Sequence, residues 1–282
     1  NACKLDIGAW VSIINQSGAS YTNAKLKLIA GDVQRVQRNN PRADQVMAAK
    51  SMAREERDTG FAEKSFFEYH LYTLGRTTTL ADNSTKQIEL FPAARSVPCE
   101  KTLVYYGLAP GYYGYSASPH TDRNLGVQSN KKVDVYLGFK NTAEHNMGMP
   151  LPSGRIRVSK LDPADRTLEF IGEDVIDHTP RNEKVLVKLG SAFDVVGERR
   201  QVDFKVDTSR KTMSEEIEVK LRNQKKERVT VLVKENLYRW VNWQITAKTH
   251  DYEKQDARTV HFPVKVDPGA EVTLRYTVQY TW

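Results

Sequence analysis

Histidines and carboxylates that could carry acid–base chemistry are scattered through this sequence of 282 residues. None of the six histidines stands in an HExxH or comparable metal-binding spacing. His70 would share one strand face with Glu68 and Tyr72, because alternate residues of a strand point to the same side. A lone histidine on a strand serves packing more often than catalysis, so the sequence predicts no catalytic residue here.

Signatures of nucleophilic and metal-assisted catalysis are missing from the sequence. There is no GxSxG elbow, no Ser-x-x-Lys motif with its usual companions and no phosphate-binding loop. Cys3 and Cys99 do not stand at metal-ligand spacing; they could form one disulfide, which the sequence alone does not show. The sequence therefore predicts no cofactor and no metal site, and it favours a protein that is not an enzyme.

A hydrolase is the alternative interpretation, because glycosidases need only two suitably placed carboxylates. Any two of the 35 acidic residues could converge in the fold. The adjacent pairs Glu173-Asp174 and Glu215-Glu216 would point to opposite strand faces, so we interpret them as solvated strand ends. The alternative predicts a concave pocket that is lined by at least two carboxylates.

A tyrosine-rich segment is the strongest candidate for a binding surface. Its five tyrosines are interleaved with glycine and proline between positions 105 and 115. Tyrosine combines a large apolar face with a polar tip, which suits recognition of a protein or a glycan. In the competing interpretation, the first two tyrosines end a strand and the others cover a sheet edge. The predicted binding residues are Tyr105, Tyr106, Tyr112, Tyr113 and Tyr115.

The charge of the chain does not single out a partner. The net charge is +7, but the 42 basic and 35 acidic residues are interleaved along the sequence. The densest basic stretch, 222–228, is interpreted as a solvated hairpin tip, and no zinc-finger or RNA-binding signature accompanies it. No apolar run approaches the roughly 20 residues of a membrane span. We predict neither a nucleic-acid partner nor a transmembrane segment.

Three segments that would position these residues share one pattern. In each, an alternating apolar strand stops at an asparagine and is followed by turn residues; the asparagines are Asn15, Asn141 and Asn223. We interpret each segment as a hairpin of strand, turn and strand. Similar alternation covers most of the chain, with predicted strands at 5–15, 24–36, 61–74, 85–90, 101–106, 132–140, 155–161, 167–176, 184–189, 193–206, 216–222, 228–234, 240–248, 258–266 and 271–280.

Short strands joined by turns, without intervening helices, predict an all-β fold of tandem antiparallel β-sandwiches. One short surface helix is expected at about 42–58, between Pro41 and Gly60. We place a larger sandwich at 1–189, with this insertion near 40–60, and an immunoglobulin-like sandwich at 190–282. The alternative is three smaller sandwiches, split near Gly107 and Val206.

Several motifs carry a family resemblance that spans the chain from about residue 9 to its end. They are YTNAKLKLIAGDV at 21–33, FEYHLY at 67–72, TKQIEL at 85–90, GMPLPSG at 148–154 and GSAFD at 190–194. In this order they resemble the uncharacterised C-terminal domain of mucoidy-inhibitor-A-like bacterial proteins, domain of unknown function four-one-three-nine. No catalytic residue is assigned in that family, so none carries over.

The resemblance implies a bacterial protein that is exported to the periplasm or cell surface. Complete relatives carry a leader, a smaller β domain and a coiled coil ahead of this region, and the start at Asn1-Ala2 agrees with an excised fragment. We expect a non-enzymatic module that binds protein or glycan partners. The alternatives are a hydrolase acting on surface polysaccharide and a structural spacer.

Overall fold

The computed structural model describes residues 3–31, 61–108, 117–127, 129–145 and 147–282. Within these ranges the regular elements are strands and one 3₁₀ turn at Ala143–His145, which confirms the predicted all-β sandwich fold. The helix predicted at 42–58 lies outside the described residues. None of the helical structure in the described part of the chain has the length and apolar character of a membrane span.

Most of the predicted strands are confirmed, but the structure adds short strands at Tyr21–Ala24, Thr78–Leu80 and Glu253–Lys254. The predicted strand 24–36 is interrupted at residues 25 and 26, and its part after residue 31 lies outside the described residues. The predicted strands 85–90 and 101–106 belong to one long strand, as do 184–189 and 193–206, whereas 61–74 is a hairpin of two strands. The strands are β1 (Lys4–Asn15), β2 (Tyr21–Ala24), β3 (Lys27–Ala30), β4 (Phe61–Phe66), β5 (Tyr69–Leu74), β6 (Thr78–Leu80), β7 (Ser84–Tyr106), β8 (Lys132–Lys140), β9 (Gly154–Leu161), β10 (Leu168–Ile176), β11 (Lys184–Asp207), β12 (Thr212–Asn223), β13 (Val229–Asn236), β14 (Trp243–Lys248), β15 (Glu253–Lys254), β16 (Thr259–Val266) and β17 (Glu271–Thr281).

The folded chain divides into two compact units, and each is assembled from three segments. The first contains Asn1–Glu100, Gly138–Arg157 and Asp174–Val187; the second contains Lys101–Leu137, Val158–Glu173 and Lys188–Trp282. The domain boundary predicted at Leu189 divides the sequence into two parts that would each fold independently, and it stays a prediction.

The second unit contains two runs of paired strands. One run has the order β14-β17-β12-β11 and is antiparallel. The other has the order β15-β16-β13-β7, in which β13 and β7 are parallel and the remaining pairs antiparallel. The ring of Phe262 on β16 stacks on that of Tyr276 on β17, with centroids 5.2 Å apart, so the two runs pack face to face.

The core of this sandwich follows from the alternation of its strands. Val219 and Leu274 from one run meet Val233 and Phe262 from the other, and all four are fully buried. β-branched and aromatic side chains fit such a pleated, half-buried surface. On β17, Leu274, Tyr276, Val278 and Tyr280 are buried in the core, and Val272 on the same face is partly buried against it.

The first unit is held by pairing between distant strands and by a disulfide. β1 pairs antiparallel with β7, from Lys4 opposite Pro98 to Asn15 opposite Ser84. At the start of this ladder Cys3 and Cys99 form a disulfide, and the Cys99 N–H donates to the Cys3 carbonyl. The smaller sheets of the unit are β3-β5-β4 and β2-β6.

The three asparagines of the shared sequence pattern are buried and join loops together. Asn15 is 7% exposed, and Asn141 and Asn223 are fully buried. The Asn223 Nδ2 donates to the carbonyl of Glu227 in the following loop and to those of Val266 and Asp267 ahead of β17. One carboxamide therefore links the end of its own strand to the start of the strand paired with it.

The same arrangement occurs at the other two asparagines. Each asparagine donates to a carbonyl in a loop that is distant in the sequence, and the residue two positions after the last such carbonyl has positive φ. These residues are Asn83 at 51°, Asn182 at 65° and Gly269 at 65°. The three corners are thus equivalent in structure. The corresponding hydrogen bonds run from Asn15 to Ala19, Leu80 and Ala81, and from Asn141 to Met149 and Pro180.

These contacts correct the interpretation of the three segments as hairpins. β1 pairs with β7, β8 lies between β7 and β11, and β12 pairs with β11 and β17. In each case the strand that follows the asparagine joins other strands. The reason is that the carboxamide holds its loop against a loop from a distant part of the sequence, so the chain leaves the sheet instead of folding back. The basic stretch 222–228 is therefore a connection between the two strand runs of the second unit, and it is not a hairpin tip.

Replacing Asn223 by alanine is expected to lower the free energy of unfolding by about 2–4 kcal/mol, because buried carbonyls lose their donor. Urea unfolding followed by fluorescence measures this change. The control is Asn236→Ala at the exposed end of β13, which we expect to cost less than about 0.5 kcal/mol. An equal effect of the two substitutions would contradict the assigned role of Asn223.

Candidate functional site

The structure places the first two predicted binding tyrosines on opposite faces of β7. Tyr105 has no exposed surface, packs in the sandwich core and donates its hydroxyl to the Asn130 carbonyl at 2.6 Å. Burial raises the pKa of the Tyr105 hydroxyl. Tyr106 is half-buried on the other face, because successive strand residues point in opposite directions. Tyr112, Tyr113 and Tyr115 lie outside the described residues.

Both ends of the segment that contains these tyrosines are fixed. We call residues 107–130, which connect β7 to β8, the tyrosine loop. The Asn130 N–H donates to the Gly107 carbonyl at 3.1 Å, and the Asn130 Oδ1 accepts the N–H of Lys132. The two ends of the loop therefore leave and re-enter the sandwich side by side.

A buried arginine holds the described second half of the tyrosine loop. The Arg239 Nη1 donates to the carbonyls of His120 and Asp122 at 3.0 and 2.9 Å, and its Nη2 donates to that of Leu125 at 3.0 Å. In return, the His120 N–H donates to the Arg239 carbonyl. A guanidinium offers donors in a planar fork, which lets one side chain serve several main-chain acceptors.

Two further side chains of the sandwich bind the same part of the loop. The Arg199 Nη1 donates to the Gly126 carbonyl at 3.1 Å, and the Tyr238 hydroxyl donates to the Leu125 carbonyl at 2.9 Å. Gly126 has φ of 73°, and an added Cβ would collide with the Tyr238 hydroxyl. We call Arg199, Tyr238 and Arg239 the loop anchor.

The charges of the loop anchor are neutralised inside the protein. The Arg199 Nε donates to both Glu235 oxygens at 3.2 and 3.0 Å, and the Arg239 Nη2 pairs with Glu215 at 3.1 Å. The exposed fraction of these four side chains is at most 2%. The Tyr276 hydroxyl also donates to Glu235, at 2.6 Å. Charges that are removed from water in this way need such partners.

Burial and charge shift the protonation of this network in a consistent direction. Burial opposes the charge of Arg199, but the Glu235 carboxylate, together with Glu215 and the nearby tyrosines, outweighs burial and raises the pKa of the guanidinium. Burial, together with the negative charge of Glu235, raises the pKa of Tyr276 well above its usual value. The network is therefore a fixed structural arrangement of charged arginine and neutral tyrosine.

The sequence interpretation missed the loop anchor and misplaced Glu215. Glu215 is buried beside Arg239 and is not a solvated strand end. The acceptors of the anchor are mostly main-chain carbonyls, which leave no side-chain signature in a sequence. A usable signal was Arg239, which stands in the sequence between Leu237-Tyr238 and Trp240-Val241, whereas Arg199 is flanked by Glu198 and Arg200 and gave none.

The carboxylate that lies beside His70 in the structure is that of Glu63, and not that of Glu68, as the sequence suggested. The His70 Nδ1 lies 2.7 Å from a Glu63 oxygen on the neighbouring strand, whereas Glu68 is in the turn between β4 and β5. Arg181 pairs with the second Glu63 oxygen. Burial opposes the Glu63 charge, but the hydrogen bonds from His70 and Arg181 outweigh it and lower the pKa of the carboxyl.

The lowered pKa of Glu63 predicts a pH-dependent contribution to stability. Its contribution is complete above the unfolded-state pKa of about 4.5 and is lost as the pH falls through the lower folded-state value. Glu63→Gln should therefore destabilise the protein at neutral pH and have a much smaller effect at about pH 3. Urea unfolding at both pH values, with the exposed Glu68→Gln as control, measures this. A Glu63→Gln effect that does not change with pH would contradict the assignment.

Among the described residues, no group of three or more histidine, cysteine, aspartate or glutamate side chains could hold a metal ion. Comparison with protein-family models, with curated proteins and with solved structures finds no match for this chain. The resemblance to mucoidy-inhibitor-A-like proteins therefore stays a prediction.

Proposed function

We propose that this chain is a non-enzymatic interaction module of a bacterial cell-envelope protein, which binds a protein or glycan partner through the tyrosine loop. The observation that carries the proposal is the loop anchor: two buried arginines donate hydrogen bonds to four main-chain carbonyls of one surface connection. Binding residues are commonly carried by loops that a rigid scaffold positions. Holding a loop in one conformation before binding reduces the entropy that association costs.

Two further observations support the proposal. Tyrosine supplies a large amphipathic contact with few rotatable bonds, and the loop carries Tyr112, Tyr113 and Tyr115 between its fixed ends. The Cys3–Cys99 disulfide is compatible with the oxidising compartments of the cell envelope. Placement in the envelope and membership of the mucoidy-inhibitor-A-like family are part of the proposal.

A binding comparison tests the role of the loop. The wild-type chain, a variant with Tyr112, Tyr113 and Tyr115 all changed to serine, and the control Tyr21→Ser are applied to an array of defined glycans. The same three proteins are then tested for direct binding to purified envelope proteins. We expect at least about tenfold weaker binding for the triple variant and unchanged binding for the control, in which an exposed tyrosine elsewhere is lost. Equal binding by the triple variant would refute the proposal.

A hydrolase acting on surface polysaccharide is the second candidate, and the Glu63–His70 pair favours it. A carboxylate at Nδ1 orients an imidazole so that Nε2 can act as a general base. This candidate predicts turnover of chromogenic glycosides or esters that is lost in both His70→Gln and Glu63→Gln and is kept in Glu68→Gln. Absence of turnover by the wild-type chain, or turnover that survives both substitutions, removes it.

A further inference from the structure

A row of polar side chains crosses the outer face of the second unit's sandwich. On β7 and β13, Tyr106 stands directly opposite Lys234; on β13 and β16, Lys234 stands opposite His261; and His261 stands opposite Glu253 on β15. Directly opposed residues point to the same side of a sheet. Tyr136, on the neighbouring strand β8, lies close enough to Tyr106 to contribute to its raised pKa, and it extends the row to five strands.

The row is distinct from the core and from the loop anchor. The residues next to it along the strands, Tyr105, Val233 and Phe262, point inward and are fully buried. Tyr136, Tyr106, Lys234 and His261 are half-buried, and Glu253 is exposed. Neighbouring strands are about 4.8 Å apart, so the five side chains span roughly 19 Å across the sheet. We call these five residues the outer row.

The centre of the outer row is an ammonium group with aromatic neighbours. The Lys234 Nζ lies 5.6 Å from the centroid of the Tyr106 ring. Within the described part of the chain, Lys234 forms no ion pair with a carboxylate. Burial and the charge of Lys234 lower the pKa of His261, so the imidazole is uncharged at neutral pH. A half-buried cation thus lies between two neutral hydrogen-bonding groups.

The order of these groups along the outer row determines which class of ligand they can bind. An ammonium between neutral donors suits a carboxylate, since a charge-assisted hydrogen bond is stronger than a neutral one. The tyrosine hydroxyls on one side can donate hydrogen bonds to, or accept them from, hydroxyl groups of the same ligand, and the Glu253 carboxylate on the other side can accept them. We propose that the outer row is a binding site for a hydroxylated carboxylate, with Lys234 holding the carboxylate and Tyr106, His261 and Glu253 the flanking hydroxyls.

The inference adds a ligand class to the proposed interaction module, but it does not depend on the loop tyrosines Tyr112, Tyr113 and Tyr115. It shares only Tyr106 with the residues predicted from the sequence. A failure of the outer row can therefore be distinguished from a failure of the tyrosine loop by giving the serine-substituted loop variant the same ligand.

NMR titration of the full chain tests the site. The probe is sodium gluconate, and sodium acetate and sodium chloride at matched ionic strength serve as comparisons; the reporter is the His261 ring signal, assigned with His261→Gln. We expect gluconate to shift this signal saturably, acetate to bind more weakly because it has no hydroxyl groups, and chloride to have no saturable effect. The loop variant should bind gluconate as the wild type does.

Matched substitutions identify the groups responsible. Lys234→Met removes the charge but keeps an unbranched side chain beside Tyr106, and we expect at least about tenfold weaker gluconate binding. Tyr106→Phe removes only a hydroxyl and should weaken binding by about threefold or more. The control Lys265→Met makes the same charge change on the same sheet face, opposite Thr230, and should leave affinity within about twofold.

Four results would overturn the inference. The first three are a His261 signal that gluconate shifts no more than chloride does, wild-type binding by Lys234→Met, and a loss of affinity in Lys265→Met equal to that in Lys234→Met. The third result would show general attraction of anions by a basic protein. The fourth, equal affinity for acetate and gluconate, would refute the recognition of hydroxyl groups.

Discussion

Replacing Arg199 with methionine is expected to lower the free energy of unfolding by about 3–5 kcal/mol. The substitution leaves the Glu235 carboxylate, which is 1% exposed, with the Tyr276 hydroxyl as its remaining donor. An unpaired buried charge costs far more than a lost surface contact, because water cannot reach it. The Gly126 carbonyl also loses its donor. Urea unfolding at neutral pH measures the change.

Two companion variants separate the loss of a partner from the loss of a charge. In Arg199→Met/Glu235→Leu both charges are gone, and we expect most of the lost free energy to return, since buried pairs can often be replaced by apolar residues. Arg210→Met removes an exposed partner of Asp207 and should cost less than about 1 kcal/mol. If Arg199→Met proved no more costly than Arg210→Met, the buried pairing would be wrong.

Removing the disulfide is expected to have an effect of similar size. Cys3 and Cys99 are separated by 96 positions in the sequence. Cross-linking a loop of this length restricts the unfolded chain, and the chain-entropy relation gives about 4–5 kcal/mol for it. We expect Cys3→Ala/Cys99→Ala to lose about this much in urea unfolding.

The wild-type protein in a reducing agent is the matched comparison for the disulfide. Reduction should lower its stability to that of the double alanine variant and should have no effect on the variant itself. A wild-type unfolding curve that reducing agent leaves unchanged, together with two free thiols in the native protein, would contradict the pairing of Cys3 and Cys99.

The strands could be predicted from the sequence because apolar and polar residues alternate along them. In β17 every second residue from Leu274 to Tyr280 is apolar and buried, and the opposite side is polar. Period-two alternation records which face is buried, but it does not record which strand lies alongside. The sequence could therefore indicate a strand before Asn223 and another after it, yet not that they belong to different strand runs.

Turn-forming residues lie inside the two long strands that the sequence analysis divided. Pro92 and Pro98 lie between the predicted strands 85–90 and 101–106, and Gly190 lies between 184–189 and 193–206, but both regions are strand in β7 and β11. Gly190 has φ of 133°, and the β1–β7 ladder contains register shifts. Such irregularities allow a strand to continue through residues that usually end it.

The candidate site was only partly predictable. The aromatic content of the tyrosine loop is visible in the sequence, whereas its anchoring is not, since Arg239 lies more than a hundred positions beyond the carbonyls that it binds. The outer row was equally hidden. Tyr106, Lys234, His261 and Glu253 become neighbours only through the register of four strands.

Hydrogen–deuterium exchange of Arg239→Met/Glu215→Leu tests most directly whether the buried pairs hold the tyrosine loop. We expect amides at 117–127 to exchange at least about tenfold faster than in the wild type and trypsin to cleave after Arg123, while β12 and β17 keep their protection. Wild-type protection of the loop in this variant, or equal loss of protection in loop and core strands, would contradict this role of the buried pairs.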